Sequence, residues 1–232
     1  GMSYSSKKPV VDRMLEALPG TVALTGTALV FTLLYALPAG IISALNRNKW
    51  IDYLLRAASF VGVSMPTFWL GLVLIYIFGL KLGLVPIASS RVTATGVILP
   101  AITLAVVVGS KYMRQVRLVI LEEMEKDYVI GARARGVSEV KILFGHILPN
   151  AVLPLITILG VLIGWLLGGV AVVEMVFSWP GLGNMAVYAI TMRDYPLIEG
   201  FVLWVALAYM CINALVDASY ILLDPRLKRE RA

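Results

Sequence analysis

Few residues in this chain are of the types that do covalent or metal chemistry, and none is spaced to do it. His146 is the only histidine and Cys211 the only cysteine in 232 residues. No Cys/His cluster has metal-ligand spacing, and one cysteine closes no internal disulfide. A single imidazole is a poor metal site, so His146 reads as a packing or capping residue. No Ser/His/Asp set, HExxH motif or carboxylate pair within an apolar run can be drawn from the sequence. Gly131 and Gly136, followed by Val137 and Ser138, have the glycine spacing of a phosphate loop. The lysine that would reach the phosphates is missing, and no apolar strand precedes them. Enzyme chemistry therefore has no carrier here, and the chain has no cofactor, nucleotide or metal site of its own.

The remaining candidates are polar groups in or beside apolar runs. Asn213 and Asp217 stand one helical turn apart in the last such run. Ionisable groups in lipid are costly and face a cavity or a partner, which makes this pair a candidate for a solute path, although Asp217 lies close enough to the run's end to reach water. Glu174 falls where another run meets the surface and reads as a hydrogen-bonding group for the loop after it. Ser178-Trp179-Pro180-Gly181 in that loop is turn chemistry. Trp179 and Tyr188 suit interfacial anchors or contacts to an external protein. Gly160, Gly164 and Gly168 recur every four residues in one run and clear a helix face for close approach by another helix, either of a sister subunit or of this chain.

The elements that must position these residues are membrane spans. Hydrophobic residues make up 59% of the chain and charged residues 15%, and mean hydropathy is +0.87. A soluble domain of this size carries more charge. Five runs are long and apolar enough for about 30 Å of hydrocarbon: Pro19–Leu45, Ala57–Leu80, Val97–Met113 (the weakest), Ala151–Val173 and Glu199–Leu223. The prolines in or at the start of them, Pro38, Pro66 and Pro100, are tolerated where neighbouring groups satisfy the freed carbonyls. The expected fold is an all-α polytopic membrane protein. Its parts are an external N-terminal segment at 1–18, a transmembrane domain at 19–223 and a cytoplasmic tail at 224–232.

Net charge is +6. No aromatic-interleaved basic strip accompanies it, so nucleic acid is excluded and the basic loops read as topology. Residues 46–56, 111–149 and the tail carry fourteen Lys and Arg against six elsewhere. The richer side is expected to be cytoplasmic, in a bacterial or archaeal inner membrane, with the C-terminus inside. This leaves the N-terminus outside with Lys7, Lys8 and Arg13 and no signal-type apolar region before Pro19. The expectation is that a targeting or spanning segment precedes this sequence, for six spans in all.

Residues 111–149 form the longest polar stretch. Val116, Val119 and Ile120, and later Val140, Leu143 and Phe144, keep helical spacing. Gly136-Val137-Ser138 interrupts it, with Ser138 as candidate N-cap of a second helix. The loop is thus helix, turn, helix. It either docks in a partner's groove or lies as an amphipathic surface helix without one.

The stretch Tyr128–Pro154 resembles the EAA loop of binding-protein-dependent ABC transporter permeases. Gly136 stands at the motif's glycine, Leu148-Pro149 at its Leu-Pro pair and Ala132 at its second alanine. Ile130, Gly131 and His146 depart from the Glu, Ala and Ile of the pattern. The Y-V-x-x-A-R-A-x-G form resembles the dipeptide, oligopeptide and nickel subfamily. Val173–Gly183, Asp224-Pro225-Arg226 and Gly1–Ala23 resemble further segments of it, and its members carry an additional N-terminal span. The resemblance implies a coupling helix contacting an ATPase subunit, with Tyr128, Ala132, Arg133, Arg135, Gly136, Val137, Ser138 and Glu139 at that contact. It implies a homologous second permease, two cytoplasmic subunits that bind ATP and Mg, and an extracytoplasmic solute-binding protein. Transport would be by alternating access between the two permeases, of short peptides or, alternatively, of nickel or a metal chelate. A secondary transporter or channel would need paired broken helices or embedded charges, for which Asp217 is thin support.

Overall fold

The computed structural model describes residues 1–223, apart from the side chains at 168, 169 and 220–223. The tail at 224–232, with Asp224-Pro225-Arg226, lies outside the described residues. Helices dominate, and the only β pairing among the described residues is an isolated bridge between Met2 and Pro9.

The first apolar run is α1 (Val10–Leu45), which begins nine residues before the expected Pro19 and passes through both Pro19 and Pro38. The second run is broken into α2 (Trp50–Ser64) and α3 (Thr67–Leu74), which continues as a π-turn over Ile75–Lys81. The two arms meet at 100°. Pro66 causes the break: the residue before a proline is pushed out of the helical region, and Met65 is extended at φ −75°, ψ 128°. The reading of Ala57–Leu80 as one uninterrupted run is corrected accordingly. The third run opens α4 (Ile98–Met124), which continues eleven residues past Met113. A short α5 (Asp127–Ala134) and α6 (Glu139–Ile142) follow. A π-turn at Leu143–Ile147 joins α6 to α7 (Leu148–Gly169). Then come α8 (Ala171–Val176), α9 (Leu182–Thr191) and α10 (Tyr195–Leu223). Among the described residues, three helices are each long and apolar enough to cross a membrane, at Val10–Leu45, Glu139–Leu167 and Tyr195–Ser219, and the bent α2–α3 pair makes a fourth candidate.

The buried centre is α4. Between Leu99 and Met113 it contributes Leu99, Ala101, Leu104, Ala105, Val107, Val108, Tyr112 and Met113 to the core. Small residues bring its neighbours close. A Cβ on Gly40 of α1 would come within 2.7 Å of the Val116 side chain. Tyr35 of α1 lies across Gly109 and donates its hydroxyl hydrogen bond to the Ala105 carbonyl at 2.9 Å.

The two ends of the bundle separate as the charge pattern expects. Arg47, between α1 and α2, pairs with Glu125 at the end of α4, so the basic loops at 46–56 and 111–149 share one end. At the opposite end, residues 3–5 bond to Asp194 and the Ser89 N–H donates to the Phe177 carbonyl at 3.2 Å.

Candidate functional site

The loop after α4 is a rigid extension of the bundle. Lys126 is extended and opens α5, and Asp127 in the first turn complements the helix dipole. Val129 and Ala132, three residues apart, are fully buried on one face of α5. They join Met113, Val116 and Ile120 of α4, Ile142 of α6 and Ala151 of α7 in one apolar cluster. The Tyr128 hydroxyl donates to Glu123 at 2.6 Å. Burial, and then the Glu123 carboxylate, push this phenol up to about 12, so it remains a donor at neutral pH.

Gly136 closes α5 in a left-handed conformation at φ +76°. Its N–H donates to the Arg133 carbonyl at 2.9 Å, and the Val137 N–H to the Ala132 carbonyl at 3.2 Å. Those two bonds are the Schellman closure, which favours glycine because its αL residue has no Cβ penalty. Ser138 stands at the N-cap position of α6 as expected, but its side chain makes no capping bond. Across the turn, Arg133 Nε and Nη2 donate to the two Glu139 oxygens at 2.7 and 3.0 Å. The pair is exposed, so it fixes orientation more than it stabilises, at roughly 1 kcal/mol or less. Arg135 is exposed and Val137 half-buried. The outer face carries Ile130, Val140 and Phe144 at 55, 69 and 66% exposure. The expected coupling residues thus fall on one compact unit with a buried base and an apolar, basic outer face.

The other candidates separate from this unit. Gly160 and Gly164 face α10: a Cβ on Gly164 would meet the Tyr209 ring, and one on Gly160 the Val216 side chain. Of the two partners left open by the sequence, the one in contact is α10 of the same chain. Gly168 lies in α7, and its packing is outside the described residues. Asn213 is half-buried and Asp217 exposed on α10.

Glu174, Trp179, Pro180 and Gly181 form a lock at the opposite end. The Thr21 hydroxyl donates to Glu174 Oε1 at 2.7 Å, and the Asn184 N–H to its Oε2 at 2.8 Å. Burial raises this carboxyl above its ordinary value, against the bonds from Thr21, Asn184 and Gly183. Trp179, expected as an interfacial anchor or external contact, is instead fully buried. Its indole N–H donates to the Gly20 carbonyl at 2.8 Å. Turn chemistry in the sequence could not show which way the ring points. Tyr188 is exposed.

Gly20 permits the crossing, because a Cβ there would stand within 2.7 Å of the Pro180 carbonyl carbon. Gly20→Ala should reverse the usual helical gain of about 1 kcal/mol and destabilise by roughly 1–3 kcal/mol through overpacking. Thermal unfolding in detergent checks this; an unchanged or raised midpoint would contradict it.

Two clusters had no local signal in the sequence. Asp52 is fully buried and binds Arg117, 65 residues away, through two 2.8 Å bonds. Asp194 is likewise buried and accepts from the Ser3 and Ser5 hydroxyls at 2.6 and 2.8 Å and from the Tyr4 and Ser5 N–H groups at 3.0 Å. Burial works to raise the Asp194 carboxyl, but those bonds outweigh it and hold it well below the usual carboxylate range. With a lowered folded pKa, the staple's contribution is complete above the unfolded value of about 3.9 and is lost as pH falls below it toward the folded value. Protection of the amides at residues 4–6 against exchange, relative to the unstructured rate at the same pH, should therefore fall progressively below about pH 4. Asp194→Asn should show fast exchange already at neutral pH, and slow exchange in that variant would refute the staple.

The structure is a bundle of long apolar helices with an ordered loop at its basic end. Residues 36–229 match the family described as binding-protein-dependent transport system inner membrane component, and the chain belongs to that family. It is 38% identical over 228 residues to the glutathione transport system permease protein GsiC of Escherichia coli (strain K12), covering 98% of this chain and 74% of that protein. The GsiC of Shigella boydii serotype 4 (strain Sb227) matches to the same extent. The fold resembles that of the MetNI methionine ABC transporter in an inward-facing conformation, with a TM-score of 0.78 at 19% identity over 93% of this chain and 98% of that one. An amino acid ABC transporter chain matches with a TM-score of 0.66 at 17% identity, over 90% and 92% of the two chains. The chain is thus a membrane permease of the ABC importer kind and not an enzyme.

Proposed function

We propose that this permease carries short peptides delivered by a solute-binding protein, and that α5 and α6 couple it to an ATPase subunit. The observation that carries the coupling role is the two-faced unit after α4. Its base is locked into α4 and α7, while Ile130, Arg135, Val140 and Phe144 stand exposed. Apolar anchors within a charged rim suit a partner's groove. The partners are a homologous second permease, two cytoplasmic subunits that bind Mg-ATP, and an extracytoplasmic binding protein. The basic end faces the cytoplasm, with residues 111–149 as the coupling loop and residues 1–18 and the Glu174–Gly181 lock outside. Closure of the motor subunits pushes the unit, and the push switches the spans between two packings open to opposite sides. Asn213 and Asp217 are proposed for the solute path. The likeness to a glutathione permease supports a peptide over nickel or a metal chelate.

In a Cys211→Ser background, a cysteine at Ile130 or Arg135 should crosslink to the ATPase subunit in the assembled complex. Proteoliposome uptake of glutathione should require ATP, the ATPase subunits and the binding protein together. Uptake driven by an ion gradient without them would overturn the proposal.

A further inference from the structure

The exposed surface of this bundle has two characters. On α10 between Val202 and Leu215 it is mainly apolar, with Val202, Leu203, Leu207, Met210 and Leu215 all exposed. On α4 it is not. Between Ile98 and Ser110 no α4 residue is exposed. Below that the helix opens a stripe of Lys111, Arg114, Gln115, Leu118 and Glu122, at helical spacing. The Lys111 ammonium lies over the Trp165 ring of α7, 5.3 Å from its centroid. One turn further, a cleft of about 730 Å³ opens between α2 and α4, lined among others by Tyr53, Arg56, Phe60, Arg114, Arg117 and Leu118.

The charges in this region do not cancel. Arg117 is committed to Asp52 by two hydrogen bonds, and Arg56 only approaches Asp52 at 4.0 Å while lying over the Tyr53 ring at 5.7 Å. Lys111 and Arg114 have no carboxylate within ion-pair distance among the described residues. Asp52 thus answers one of four cations, and Glu122 closes the stripe a turn below Leu118. These cations stand where α4 leaves its buried stretch toward the basic end of the bundle, and exposed cations beside apolar spans face water or a partner rather than hydrocarbon. Stacked cations on aromatic rings keep their donors available, and unpaired guanidinium groups match carboxylates bidentately.

We infer that the Lys111–Arg114–Arg56 track lines the cytoplasmic mouth of the water-filled solute path and binds the carboxylate groups of the translocated solute. This rests on the reading of the chain as a solute permease and assigns it a preference for anionic peptides. Several weak cationic sites in series let a carboxylate enter and leave, where one tight site would trap it.

The test places a single cysteine at Leu118 in the Cys211→Ser background of the assembled complex in phosphatidylcholine vesicles. Its modification rates by a sulfonate-bearing and a trimethylammonium-bearing methanethiosulfonate are compared. The anionic reagent should react about tenfold faster, and the ratio should fall toward one when Arg56→Gln and Arg114→Gln are added. Millimolar Ala-Glu should slow the reaction more than Ala-Gln. Adding phosphatidylglycerol should leave the ratio unchanged. No modification, a ratio indifferent to the arginines, equal effects of the two dipeptides, or an anion preference abolished by phosphatidylglycerol (a phospholipid occupant) would each overturn the inference. No step of this readout needs ATP hydrolysis or uptake, so the track can fail while the transport proposal stands, and the reverse.

Discussion

Gly136→Leu should abolish most ATP-dependent uptake while the complex still assembles. At φ +76° any L residue is strained, by about 1–2 kcal/mol. The space is not the obstacle, since a Cβ at Gly136 would meet nothing within 4 Å. Strain alone therefore acts, and it acts on the Schellman closure that sets the angle between α5 and α6. A penalty of that size lowers the population of the native turn about 5- to 30-fold. The base of the unit, Val129, Ala132 and Ile142, stays buried against α4 and α7, so assembly is expected to survive. Gly136→Asn tolerates the left-handed conformation better and should keep uptake within about threefold of the parent. Uptake by reconstituted vesicles, with co-purification of the ATPase subunit as the assembly control, decides the matter. Full uptake by the leucine variant would remove this loop from the coupling role.

Asp52→Ala should destabilise the bundle by about 3–5 kcal/mol, the cost of breaking a buried pair from one side. Four segments meet at this carboxylate. The Ser43 hydroxyl of α1 donates at 2.6 Å, the Asn48 N–H of the following turn at 3.1 Å, and Arg117 of α4 through its two bonds. Arg117→Met should cost at least as much, because Asp52 is 0% exposed and Arg117 18%. The acid left behind has less access to water than the base would have. The double variant should recover part of the loss, since two apolar replacements leave no uncompensated charge. Unfolding of all four proteins in one detergent gives the coupling. Single variants within about 1 kcal/mol of the parent would show that the pair does not hold α1, α2 and α4 together.

The loop and the spans were readable for the same reason: each is written in neighbouring residues. The break at Gly136 and the helical spacing on either side of it involve local bonds between residues three to five apart, such as Gly136 to Arg133 and Val137 to Ala132. Apolar runs declare spans because every spanning helix closes its own backbone bonds. Even the elbow at Pro66 has a local cause, although the sequence did not force a choice between a tolerated proline and a break.

What the tertiary structure alone decided is which face of each helix meets what. In a membrane, the core and the lipid are both apolar, so hydrophobicity does not mark the inward face as it does in water. The partner of Gly160 and Gly164, the burial of Trp179 and the exposed apolar face of α10 therefore had no signature in composition. Asp52 and Arg117 are 65 residues apart and Asp194 is 191 from Ser3. No periodicity links such pairs, and only the packing of α1, α2 and α4, or of the N-terminal segment onto the turn before α10, brings their charges and hydroxyls within reach.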